Sequence, residues 1–144
     1  MATVIRGTGE STFGTSISVG TGGNILKSYV ISGTTTDATE TALSTSIPIA
    51  ADSTLLAEIA IVARRTDATG HSAGFKLRVV ADNFSGTTAD VGNVYEIVIA
   101  DDSGNLEVDA RADDTTDSLK IYVTGEASKT IKWTAVVNTI EVHD

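Results

Sequence analysis

The chain has 144 residues and a formal net charge of −9. That length suits one domain with a single core. The absence of cysteine excludes disulfides and thiolate metal sites, and the acidity argues against nucleic acid, whose phosphate backbone calls for a basic face. No apolar run approaches the ~18 residues of a membrane span and no charged-then-apolar leader opens the chain, so the expectation is no membrane partner and a protein that stays where it is made or leaves by lysis. The charge is uneven: residues 1–36 hold only Arg6, Lys27 and Glu10, whereas the rest holds 18 acids and 8 bases. Thr, Ser, Gly, Ala, Val and Ile dominate, a mixture that favours strands and turns over helices.

In chain order, residues 1–24 read as an extended Gly-rich arm. Seven of the 13 glycines fall within the first 33 residues, with Val4, Ile5, Phe13, Ile17 and Val19 as isolated apolar anchors. These are too few to form a core. The segment is either a tail or an arm that becomes ordered on a neighbouring chain. Residues 25–144 read as one β-sandwich domain. Ile25, Tyr29 and Ile31 share a face, then Leu43, Thr45, Ile47 and Ile49, with Pro48 marking an edge strand.

The segment Asp52–Arg65 could form a helix capped by Asp52 or Ser53. The β-branched Ile59, Ile61 and Val62, and a matching alternation at Ala73, Phe75, Leu77, Val79 and Ala81, predict a hairpin instead. Tyr95, Ile97 and Ile99 continue the pattern, as do Leu106, Val108 and Ala110, then Leu119, Ile121 and Val123, then Ile131, Trp133, Ala135 and Val137. After Val137 the apolar phase shifts to Ile140 and Val142, which predicts a bulge or bend near Asn138. Eight or more short-spaced strands with turn residues between them predict an all-β fold, a β-sandwich of jelly-roll or Greek-key type with an extended N-terminal arm.

Arg64 and Arg65 end one of these runs. Neighbours on a strand point to opposite faces, so the two cannot clamp one ligand together. Arg65 is in phase with the core and is expected to form a structural ion pair, with Asp67, Asp82 or the Asp113–Asp117 loop as candidate partners. Arg64 is in phase with Glu58 and is expected to meet solvent. The run Asp101–Asp109 departs from a calcium loop, because Gly104 precedes Asn105 and no Glu closes the loop. A turn closing a hairpin explains Asp102–Asn105 better. His71 and His143 stand apart from any nucleophile motif. Trp133 could stack on a sugar, but its phase with Ile131 and Ala135 places it in the core. No catalytic residue, metal or cofactor is expected.

The stretches ARRTD (Ala63–Asp67), SAGFK (Ser72–Lys76), LKIYVTGEASKTIKWTAVV (Leu119–Val137) and IEV (Ile140–Val142), in this order, resemble a β module of virion structural proteins of tailed bacteriophages, in head-decoration and tail-fibre proteins. The resemblance covers roughly Tyr29 to Val142 and leaves the arm outside. It implies a non-enzymatic virion protein, often a trimer, and transfers no catalytic residue. One small acidic domain with a near-neutral arm suits a head decoration, or cement, protein. Such a protein would sit on the capsid surface as a homotrimer, bridge major capsid protein subunits, and make contacts through Val4, Ile5, Phe13, Ile17 or Val19. A tail-fibre or receptor-binding module, touching a host glycan through loops such as Asp82–Asn93, is the alternative. A carbohydrate-binding or hydrolytic domain is the third reading.

Overall fold

The structure, a computed structural model, describes residues 16–21 and 24–144. The described residues contain eleven β-strands and no helix, as a chain rich in β-branched residues at alternate positions dictates. They pack as two antiparallel sheets in a β-sandwich. The larger sheet runs β1 (Ser16–Thr21), β2 (Asn24–Thr35), β11 (Ile131–His143), β5 (Ser53–Arg65) and β6 (Ser72–Phe84). The free side of β6 is shared by β8 (Tyr95–Asp101), which pairs with Ala73–Arg78, and β7 (Thr87–Asp90), which pairs with Ala81–Phe84. The smaller sheet centres on β10 (Ser118–Thr124). β9 (Glu107–Asp113) lies on one side of it, and β3 (Glu40–Ala42) and β4 (Ile47–Pro48) follow each other along the other side. Pro48, which lacks an N–H, thus stands on an edge strand.

Strict alternation builds the core. Along β5 and β11 every second residue is buried, and Trp133, Phe75, Ile59, Ile61, Leu119 and Ile121 meet between the sheets. The segment Ser53–Arg65, which a capped helix could also have claimed, is one thirteen-residue strand. Its cross-strand partners on β6 and β11 bury Leu55, Ile59 and Ile61 on one face, an arrangement that a helical path would scatter around its axis. The β6–β7 hairpin turns on Ser85 and Gly86, both at positive φ (52° and 83°), the pair of left-handed residues that a two-residue type I′ turn requires.

Three sequence expectations change here. β11 runs without a bulge at Asn138. The inward phase continues through Thr139 and Glu141, both buried, so the apolar Ile140 and Val142 face outward. Tyr95 and Ile97 stay out of the core because they stand in register with Arg78 and Lys76 on the outer face, and Ile99 falls at a register shift; all three are exposed. The irregularity lies instead on β8, where the register with β6 shifts between Gly74 and Phe75. Finally, the Asp102–Asn105 turn does not close a hairpin: it carries the chain from β8 in one sheet to β9 in the other. Within the segment read as an arm, Ser16–Thr21 forms β1 and pairs with β2.

Candidate functional surface

The acidic loops that could have formed a cation site are occupied by hydrogen bonds of the fold. Asp101 accepts from the Ser103 N–H and Oγ through Oδ1 and from the Leu106 N–H through Oδ2. These donors hold its carboxyl below the usual range against the opposing effect of burial. In the Asp113–Asp117 run, Asp113 pairs with Lys120, Asp114 accepts from the Thr88 N–H at 2.6 Å and Asp117 from the Thr88 hydroxyl at 2.8 Å. The run therefore ties β7 to the β9–β10 hairpin across the two sheets. Among the described residues no group of three His, Cys, Asp or Glu is placed to hold a metal ion, and no helix is long and apolar enough to cross a membrane.

The arginine pair divides as the pleat requires. Arg65 Nε lies 2.8 Å from Asp67 Oδ1 and its Nη2 lies 3.3 Å from Oδ2, a two-point contact across the strand end. The guanidinium holds the Asp67 carboxyl down at about 2. Beside it, Glu126 joins Lys129 and His71, with His71 Nδ1 2.8 Å from its Oε1. Lys129 first, then His71 and Ser103, lower the Glu126 carboxyl to about 2. Both clusters pin loops to the end of the sheet. Trp133 is buried, and its indole N–H donates to Thr35 Oγ1 at 3.0 Å. Of the proposed arm anchors, Ile17 and Val19 fall on β1, opposite Ser28 and Leu26. Val4, Ile5 and Phe13 lie outside the described residues.

The surface that stands out is the outer face of the larger sheet. Register sets two apolar rows across it: Leu26, Ile140, Leu56 and Val80 in one, Val30, Val136, Ala60, Lys76 and Ile97 in the other. Val62, 63% exposed, and Val142 extend the patch. A shallow hollow between Ala60, Val136, Tyr95 and Ile97 is rimmed by Glu58, Lys76 and Arg78. Soluble proteins seldom leave a contiguous patch of this kind uncovered.

Charge marks the same face. Of the nine described lysines and arginines, six have a carboxylate within ion-pair distance, whereas Arg64, Lys76 and Lys132 have none among the described residues. All three project from the outer face of the larger sheet, and Arg64 stands directly opposite Lys132. Sequence periodicity placed Arg64 outside but did not find this surface. The signal was the second apolar phase of β11, at Val136, Ile140 and Val142, which only the register across five strands turns into a patch.

No protein-family model matches this chain, and no curated protein matches it.

Proposed function

We propose that the chain is a non-enzymatic structural protein of a tailed-bacteriophage virion: a head decoration protein that binds the major capsid protein as a homotrimer and stabilises the capsid from its surface. The observation that carries this reading is the apolar outer face of the larger sheet, set on an otherwise acidic knob. A domain that exposes such a face works by having it covered, as the neighbouring copies of a homotrimer set on a capsid would cover it. The resemblance of Tyr29–Val142 to virion β modules supplies the setting. The test is cosedimentation of the full chain with expanded capsids of the phage that encodes it. Saturable binding and a higher capsid bursting temperature are the expected outcome. Absence of binding at saturating concentration would reject the reading.

One observation favours a second reading, a tail-fibre or receptor-binding module. Phe84, at the tip of the β6–β7 hairpin, is 76% exposed, and an aromatic ring held on a tight turn can stack on a sugar. Binding on a glycan array that Phe84→Ala abolishes would favour this reading over cement.

A further inference from the structure

We infer that the outer face of the larger sheet is the surface through which copies of this chain assemble head to tail, the face of one copy closing on the reverse side of β8 in the next. The inference rests on the trimer proposed above and names its interface; it does not depend on the capsid.

The cations argue first. Arg64 and Lys132 are cross-strand neighbours of like charge, an arrangement that destabilises a sheet, and neither has a carboxylate among the described residues within ion-pair distance to offset the repulsion. An acidic surface laid over the face would use both, and Lys76 as well.

The complement lies on the same chain. Glu96 and Val98 are in register with the buried Leu77 and Phe75, so they point to the side of the sheet on which the core lies. They are nevertheless exposed, Val98 by 55%, because the smaller sheet stops short of β8. Glu96 has no cation within ion-pair distance among the described residues. The overhanging side of β8 is thus acidic and apolar, and the outer face is basic and apolar.

This pairing also selects a symmetry. Two outer faces meeting about a two-fold axis would set basic residues against basic residues. A face meeting the reverse side of β8 is a heterologous contact, which closes into a ring when the rotation permits. Stacked in this way around three positions, each copy lays β8 against the apolar face of its neighbour and shields the flat edge of β8, which carries no Lys or Pro to block strand addition.

The test measures the mass of the full chain in solution by light scattering at micromolar concentration, together with capsid cosedimentation of the same samples. The wild-type chain is expected at three chain masses. Arg64→Glu with Lys132→Glu, and separately Glu96→Lys, are expected to fall threefold to one chain mass. The chain carrying all three changes, with the charges exchanged across the interface, is expected to return to three. A wild-type monomer, a wild-type dimer, reversals that stay trimeric, or a folded exchanged variant that stays monomeric would each overturn the proposal.

Should the variants fail to fold, zero-length carbodiimide crosslinking of mixed isotope-labelled and unlabelled wild-type chains decides the matter. Intermolecular links from Lys132 or Lys76 to Glu96 support it, and a crosslinked trimer without such links overturns it. A trimer that ignores capsids rejects the decoration reading alone, and a capsid-bound monomer rejects this assembly alone.

Discussion

Adjacent residues of one type do unlike work because the pleat sends them to opposite faces. Arg65 holds the loop that Asp67 begins, and Arg64 faces outward beside Lys132. Arg65→Ala should lower the melting temperature, whereas Arg64→Ala, melted at a dilution where the chain is monomeric, should leave it unchanged or raise it by relieving the like-charge contact; paired thermal melts check this. The same sheet end sets an acid limit. Asp67 and Glu126 are both depressed to about 2, from ordinary values of 3.8 and 4.5. Groups depressed on folding contribute fully above their unfolded values, and the contribution is lost as pH falls through the folded ones. Melting temperature should therefore fall between about pH 4.5 and 2, and Asp67→Asn with Glu126→Gln should flatten that part of the curve. Gly125 makes a different kind of point. A Cβ there would lie 2.3 Å from Thr35 Oγ1 and 2.8 Å from the Asp37 carbonyl, against the hydroxyl that receives the Trp133 N–H. Gly125→Ala should cost about 1–3 kcal/mol by overpacking, read from urea unfolding.

Elements were legible where one face is apolar and the other polar. β6 and β10 could be read directly from alternation, and β5 once its β-branched residues and its matching partner had set strand above helix, because a buried face fixes register. β11 misled because its inward face ends in polar residues while its outward face is apolar, so hydrophobicity alone suggested a change of phase where the backbone has none. What pulls Glu141 inside is local chemistry. Its carboxylate, 1% exposed, lies 3.4 Å from Lys27 Nζ and 3.6 Å from His143 Nε2. No periodicity rule announces such a buried pair, since both partners score as surface residues. The pair makes a prediction with a clear asymmetry. Lys27→Met would leave a buried carboxylate without its cation, a change that should cost about 3 kcal/mol. Glu141→Gln would remove the charge while leaving Lys27, which is partly exposed, able to turn to water, and should cost less than half as much. Urea midpoints of the two variants, measured side by side, check the order. β8 was legible as a strand but not as an overhang, because the position of the smaller sheet's boundary depends on long-range packing.

At the scale of the whole molecule, the proposed function gives surface and arm separable jobs. The buried core of the described residues begins at Tyr29, and the alternation of the sequence begins at about Ile25, after a segment with only isolated apolar residues. Deleting residues 1–15 should leave a folded sandwich with an unchanged urea midpoint. Deleting residues 1–23 should remove β1, free the edge of β2, and still leave the fold intact. If copies assemble through the outer face and β8, both truncated chains should scatter light as trimers, since Val62, Arg64, Lys132 and Glu96 are untouched. Capsid binding should behave differently. Strand addition and groove filling on a capsid need an extended, near-neutral segment rather than an acidic knob, and only residues before β2 have that composition. Cosedimentation with expanded capsids should therefore weaken at least tenfold for the shorter deletion, and capsids decorated with it should burst at a lower temperature than those carrying the full chain. Full affinity after the deletion would move the capsid contact onto the knob. A truncated chain that becomes monomeric would move the self-contact from the outer face to the arm.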